Sequence, residues 1–295
     1  MRIAMGVGTY VVAVSGGVDS VVLLDLLRKH PGVKMVVAHF DHGIRSDSAV
    51  DRKLVQELAR SHGLPFVHEN GNLGPDTSEA VARKARYKFL HKVKLATGAQ
   101  AIVTAHHEDD MLETAIINLL RGSGRKGLTS LQSNGQLLRP LLEYTKEHIR
   151  DYAKLHALQW REDPSNNDIR YTRNYVRHKL LPKFKDSKRA ELKILLEDLT
   201  ETNKELNRHI NTLLHIQPAV DMLDRKWFIG LPHSVSREIV SSWLKRYGVR
   251  NINKKTIERL VVAMKTGRAG RNIDVDGTHK LYIKKYVLAL RVLER

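Results

Sequence analysis

Two short stretches carry side chains suited to reaction chemistry. The first is Ser15-Gly16-Gly17-Val18-Asp19-Ser20. It follows a β-branched run at 10–14 with the pattern of a buried parallel strand, and apolar residues resume at helical spacing at Val18, Val21, Val22 and Leu26. A strand, a glycine turn and a helix start aim backbone N–H groups and a positive dipole end at one spot, which suits a phosphate. Ser15 and Ser20 add hydroxyl donors, and Asp19 sets a carboxylate within reach of a Mg²⁺ ion on that phosphate. The turn is not a G-x-x-x-x-G-K-[ST] loop, because no lysine lies between Met1 and Arg28. Nor is it G-x-G-x-x-G, because Gly16 and Gly17 are adjacent. A plain glycine turn with hydroxyl caps is the bland alternative, and the flanking strand and helix argue against it.

The second stretch runs from Thr104 to Thr114, TAHHEDDMLET. His106, Asp109, Asp110 and Glu113 recur at i, i+3, i+4 and i+7 and share one helix face, opposite an apolar face of Leu112, Ala115, Ile116, Leu119 and Leu120. A histidine and carboxylates at a helix start can hold Mg²⁺, act as a base or bind a cationic substrate. Dipole compensation accounts for one or two of the acids, but not for His106 and Glu113 on the same face.

Lesser clusters surround these two. His39-Phe40-Asp41-His42-Gly43-Ile44-Arg45 reads as nucleotide contacts, with a metal site as the weaker alternative. Arg83, Arg86 and Tyr87 give a helix face that borders the site, or one that is merely solvated. In Arg121-Gly122-Ser123-Gly124-Arg125-Lys126-Gly127-Leu128 the glycines permit close backbone approach, and Arg121 and Arg125 can neutralise phosphate. After the turn-rich Asp163-Pro164-Ser165-Asn166-Asn167-Asp168, three arginines at i, i+3 and i+7 (Arg170, Arg173, Arg177) form a face suited to phosphates of ATP or RNA.

The elements that must position these residues alternate. Strands are expected at 10–14, 33–40, 65–68 and 101–105, and helices at 47–61, 79–95, 108–120 and 145–156. This predicts an α/β fold with a doubly wound, mainly parallel sheet and a ligand beyond the strand C-termini, where the polar clusters fall. Residues 187–215 read as one long, charged connector helix. A smaller α+β unit follows, with helices at 235–247 and 254–265, strands near 273–275, 280–283 and 287–292, and a tight turn at Asp276-Gly277. The expected domains are therefore 1–186, 187–215 and 216–295. The last is basic, with Lys245 and Arg246 among its cations and Trp227 and Trp243 among its aromatics, and reads as an RNA-docking domain.

Composition narrows the classes. A net charge of +18 over 295 residues predicts a polyanionic partner. No apolar run approaches the ~20 residues of a membrane span, and the N-terminus has no signal pattern. The chain has no cysteine, which fits a reducing compartment and removes disulfides, thiolate zinc sites and cysteine nucleophiles. A soluble, cytoplasmic protein is expected, with no membrane partner.

The glycine turn resembles the PP-loop of ATP pyrophosphatases. Taken in order over 11–182, S-G-G-V-D-S, T-A-H-H-E-D-D-M-L-E-T, R-G-S-G-R-K-G-L, R-P-L-L, D-P-S-N-N-D-I-R-Y-T-R-N-Y-V-R and L-L-P resemble the tRNA(Ile)-lysidine synthetase family. Met111-Leu112 departs from that family's usual Gln-Ala, a change expected to touch packing or a minor contact. The resemblance implies ATP-dependent ligation of free L-lysine to the wobble cytidine of the CAU anticodon of isoleucine tRNA, through an adenylated base, with AMP and pyrophosphate released. It implies ATP contacts from Ser15, Gly16, Gly17, Val18, Asp19, Ser20, His39 and Arg121, with Asp19 meeting Mg²⁺ through ATP. Lysine would meet Asp109, Asp110 and Glu113; catalysis would fall to Asp19, His106, Asp110, Glu113 and Arg121. The tRNA would meet Arg83, Arg86, Arg125, Arg170, Arg173, Arg177, Lys245 and Arg246. Some members carry a further C-terminal domain, for which this chain ends too early, and a homodimer is left open. Among rivals, a tRNA thiolation enzyme lacks its usual cysteines here, and ammonia-using NAD or GMP synthetases leave the basic charge unexplained. An RNA-binding protein with a degenerate nucleotide site conflicts with the intact Ser15–Ser20 stretch and Glu113.

Overall fold

The β-branched N-terminal segment forms β1 (Gly8–Ala13), with Val11 and Val12 wholly buried. In the computed structural model, which describes residues 1–43, 48–74, 77–162, 169, 171–249 and 252–293, β1 is the middle of a five-stranded sheet. The order is β3-β2-β1-β4-β5, with β2 at Val33–Asp41, β3 at Phe66–Asn70, β4 at Ala101–Val103 and β5 at Leu137–Leu138. All pairs are parallel. Strand β5 has only two residues, too few to show a period, and exists because Leu137 and Leu138 register against Ile102 and Val103.

Helices cover both faces: α1 (Val18–Arg28), α2 (Ser48–Ser61), α3 (Glu79–Thr97), α4 (Glu108–Leu120), the short α5 (Arg125–Leu128) and α6 (Lys146–Leu155). One core joins Val12, Val37 and Val103 to Leu23, Leu27 and Ile149; the other joins Val11, Val36 and Ile102 to Phe89, Leu90 and Val93. Burial on both faces is why these strands read as continuous apolar runs without alternation. The parallel order reverses between β1 and β4, which opens a crevice beyond their C-terminal ends.

After α6 come α7 (Thr172–Tyr175), a π-helical turn at Val176–Leu180 and a 3₁₀ turn at Leu181–Lys183. The long helix α8 (Asp186–His215) is not a bare connector. Its Leu192 and Leu196 pack in the core of the first compact unit, Met1–Leu199, and its Ile210 and Leu214 in that of the second, Thr200–Arg295. The second unit adds β6 (Met222–Asp224), α9 (Arg225–Gly230), α10 (His233–Arg246), α11 (Lys254–Thr266), β7 (Asn272–Asp274), β8 (His279–Ile283) and β9 (Val287–Val292). Its antiparallel sheet runs β6-β9-β8-β7. Trp243 is core here, with its indole N–H on the Val220 carbonyl at 2.9 Å, so it is not a surface for stacking bases. Among the described residues, no helix is long and apolar enough to cross a membrane.

Candidate active site

A cavity of about 550 Å³ opens at the C-terminal ends of β1, β2 and β4. On the β1 side the chain turns through Gly16 at φ 95°, a left-handed conformation that strains any residue with a Cβ. Ser20, only 4% exposed, braces the turn: its Oγ accepts from the N–H groups of Ser15 (3.1 Å) and Gly16 (3.2 Å) and donates to the Gly17 carbonyl (2.8 Å). Its hydroxyl is thus committed within the turn, while exposed Ser15 presents its own at the wall. Gly17 starts α1 with no side-chain cap, and the first-turn residues Val18 and Asp19 line the cavity. A helix start of this kind suits an anion.

At the end of β2, His39 is 2% exposed, and its Nδ1–H donates to the Val14 carbonyl at 2.9 Å. That leaves Nε2 as a buried acceptor with no partner among the described residues. Burial lowers the pKa of His39, keeping the ring neutral. It suits a ligand hydroxyl or amino donor. Asp41 accepts from the Gly43 N–H (2.9 Å) and Ser48 Oγ (3.0 Å). No group of three or more His, Asp or Glu among the described residues is arranged to hold a metal, and Ile44 and Arg45 lie outside those residues.

On the β4 side, His107 starts α4, and its backbone N–H donates to Asp110 at 3.1 Å. Its Nε2 stands 3.4 Å from Asp110 and 3.8 Å from Asp19, so one imidazole separates the glycine turn from the acidic helix start. His106 is at the cavity wall with Nδ1 2.8 Å from Thr104 Oγ1, and burial pushes its pKa down to about 3. The carboxylates are not free. Glu113, 0% exposed, takes both arms of Arg177 at 2.5 and 2.9 Å, and Arg177 reaches Asp110 at 3.1 Å. Burial works against ionised Asp110, but His107, His106 and Arg177 outweigh it and hold the pKa at about 2. Burial raises that of Glu113 against the opposing pull of Arg177. Asp109 takes the Lys146 backbone N–H at 2.8 Å and pairs with Arg189; Glu108 pairs with Lys193 at 2.7 Å. None of Asp109, Asp110 and Glu113 lines the cavity.

The opposite face of α4 also differs from expectation. Leu119 and Leu120 are 63% and 70% exposed, whereas Met111, Leu112, Ala115 and Ile117 pack against Val176, Leu181 and Leu196. Met111 and Leu112 are therefore packing residues, in the apolar cluster with Val176, while Asp110 and Glu113 are buried against Arg177.

The arginines divide. Arg86, Arg161, Arg173 and Arg177 line the cavity. Arg173 reaches Thr114 Oγ1 at 3.3 Å and Glu79 at 3.7 Å. Arg83 stacks on Tyr87 at 5.0 Å and stands back from the wall, as does Arg125 at the start of α5. Arg121 lies off the cavity wall: it caps the far end of α4, exposed, about 20 Å from Glu108 at ~1.5 Å per residue. The resemblance implied an ATP contact and a catalytic role for it, and the 13 residues of α4 separate it from His107. Lys245 and Arg246 are exposed in the last turn of α10, in the second unit. Arg170 and residues 163–168 lie outside the described residues.

Residues 5–184 match the PP-loop domain family. The chain belongs to that family. The PP-loop is the Ser15–Ser20 turn. Among similar proteins, a tRNA(Ile)-lysidine synthase of Thermus thermophilus is 37% identical over 274 residues, covering 88% of this chain and 52% of the relative. That of a Thermotoga species is 36% identical over 185 residues, 59% of this chain and 45% of the relative. That of Ralstonia nicotianae is 33% identical over 288 residues, 90% and 60% respectively. The chain spans about half the length of these curated relatives.

Sequence reasoning missed two cavity residues beside the PP-loop: Arg161, whose backbone N–H donates to the Gly16 carbonyl at 3.0 Å, and Lys146. Lys146 places Nζ 2.6 and 2.7 Å from the two Asp19 oxygens. A signal existed: Thr145 caps α6, so Lys146 opens a helix where a cation opposes the dipole.

Proposed function

We propose that this PP-loop protein uses ATP to join free L-lysine to the wobble cytidine of an isoleucine tRNA with a CAU anticodon, forming lysidine. The observation that carries the reading is the His107 bridge, 3.8 Å from Asp19 and 3.4 Å from Asp110, which sets a phosphate site beside paired carboxylates. The names of the relatives and the +18 charge support it. The cytoplasm, where tRNA and ATP meet, is where such a protein would act.

In the first step the cytidine O2 attacks the α-phosphate of ATP and pyrophosphate leaves. In the second the lysine ε-amine attacks C2, loses a proton, and AMP leaves with the oxygen. The PP-loop amides and Ser15 hold phosphate oxygens, and His39 Nε2 accepts from the nucleoside. A lone carboxylate at Asp19 fits Mg²⁺, which typically takes one or two carboxylates and substrate phosphates. Bound there, the ion would neutralise phosphate charge. Asp110 and Glu113 receive the ε-ammonium in place of the Arg177 guanidinium, with Asp109 bordering them. That ammonium has a pKa of ~10.4 and must lose a proton to attack. His106, with a pKa about 3, is a poor base and suits hydrogen bonding to the nucleotide; Glu113, raised by burial, is the better proton acceptor. Arg86, Arg173 and Arg177 neutralise phosphates of ATP or tRNA. Arg83, Arg125, Lys245 and Arg246 remain candidates for tRNA contacts, and Arg121 a candidate for neutralising phosphate charge.

The test is incorporation of labelled lysine into an unmodified isoleucine tRNA transcript bearing CAU, with ATP, Mg²⁺ and a methionine tRNA control. ATP-dependent labelling of the isoleucine tRNA alone is expected. No labelling, with pyrophosphate still released on adding RNA, would keep the adenylating site and assign another nucleophile. Glu113→Gln is expected to raise the lysine KM and lower turnover; unchanged values would remove Glu113 from the lysine site.

A further inference from the structure

The PP-loop carries no lysine of its own, yet Lys146 reaches it from 127 residues away, with Nζ 2.6 and 2.7 Å from both oxygens of Asp19. Its side chain is 34% exposed and lines the cavity beside Val18 and Ser20. Helix packing fixes its place. Tyr152 and Asp25, also 127 residues apart, bond at 2.8 Å, so α6 and α1 run in step, each contact six residues along from the other. The Thr145 cap and the Lys146 backbone N–H on Asp109 (2.8 Å) pin the start of α6. A cation in that first turn opposes the helix dipole, and nothing in the packing of α6 asks for one. The ammonium belongs to the same cavity wall as the PP-loop residues Ser15, Gly17, Val18 and Ser20.

We infer that Lys146 is a phosphate-binding residue that supplies in space the cation the PP-loop lacks in sequence. Asp19 holds its ammonium over the turn, and the ammonium passes to the terminal phosphates of ATP when nucleotide binds. The terminal phosphates are the target because they carry most of the triphosphate charge, and a lysine acts as a compact point charge. As pyrophosphate leaves, charge grows on those same oxygens, so Lys146 stabilises the transition state more than bound ATP. This rests on the ATP-dependent reading above, but not on the identity of the nucleophile.

The experiment is calorimetric titration of the full chain with ATP and with AMP, in magnesium, for wild type, Lys146→Met and Lys146→Arg. Lys146→Met is expected to weaken ATP about tenfold, the scale of one charge-assisted hydrogen bond, and AMP less than twofold. Lys146→Arg keeps ATP within about threefold of wild type. Equal weakening of ATP and AMP in Lys146→Met, or no weakening, overturns the inference while leaving the ATP site standing. Should Lys146→Met fail to fold, the arginine variant decides: ATP selectivity over AMP retained supports phosphate binding, and selectivity lost refutes it. Wild type that binds neither nucleotide overturns the ATP reading itself.

Discussion

The PP-loop and the start of α4 flank the same cavity and are built on opposite plans. The PP-loop keeps uncharged hydrogen-bonding groups at its surface: Ser20 braces the backbone from within, and Ser15, Gly17 and Val18 line the cavity. The start of α4 turns inward. Glu108, Asp109, Asp110 and Glu113 each meet a cation from a later segment: Lys193, Arg189, and Arg177 twice. The difference follows from charge. Backbone dipoles converge without mutual cost, whereas adjacent carboxylates, one fully buried, need cations to remain ionised in the fold. The backbone of a phosphate site can be made from six neighbouring residues, with Lys146 brought to Asp19 from a distant segment; a paired-carboxylate site needs distant segments for every acid.

The contrast makes Arg177→Met the most damaging change. It strands Glu113 without its cation and is expected to cost about 3–5 kcal/mol, or roughly 10 °C in a thermal melt. Adding Glu113→Gln in the same chain should recover part of that loss; a melt unchanged from wild type in Arg177→Met would erase the contrast. Ser20→Ala probes the other plan. It removes the acceptor for two backbone N–H groups and is expected to cost about 1–3 kcal/mol in denaturant unfolding, with ATP affinity down about tenfold by calorimetry.

A pH titration is next in size. His106 binds protons less readily folded than unfolded, so between about 6.5 and about 3 the unfolded chain carries more protons and stability rises with pH. His106 alone should contribute a fall in unfolding free energy of up to about 1.4 kcal/mol per unit on acidification below 6.5, and that component should be missing from His106→Gln. His39, lowered by burial in the same direction, leaves a smaller slope in the variant. The least effect is expected on the exposed end of α4, where Leu119→Gln should stay within about 0.5 kcal/mol of wild type in the same unfolding assay.

What the sequence determined by itself is what local chemistry enforces. The PP-loop was legible because strand, glycine turn and helix start are contiguous, and the centre of the parallel sheet was legible because β1, β2 and β4 are short apolar runs set between helical stretches, whereas the two-residue β5 was not. Helix α4 was legible to the residue, since an acidic first turn and an apolar stripe bound it at Glu108 and Leu120. The tertiary structure alone decided which charges meet. Arg177 read as a phosphate-facing arginine until α7 and its π-helical turn packed on α4 and brought it to Glu113, 64 residues away. Lys146 was one cation among many until α6 came into step with α1, and Arg121 lies off the cavity wall, with the 13 residues of α4 between it and His107. Pairing of that kind depends on the register of elements far apart in the chain, a three-dimensional quantity that no local spacing encodes.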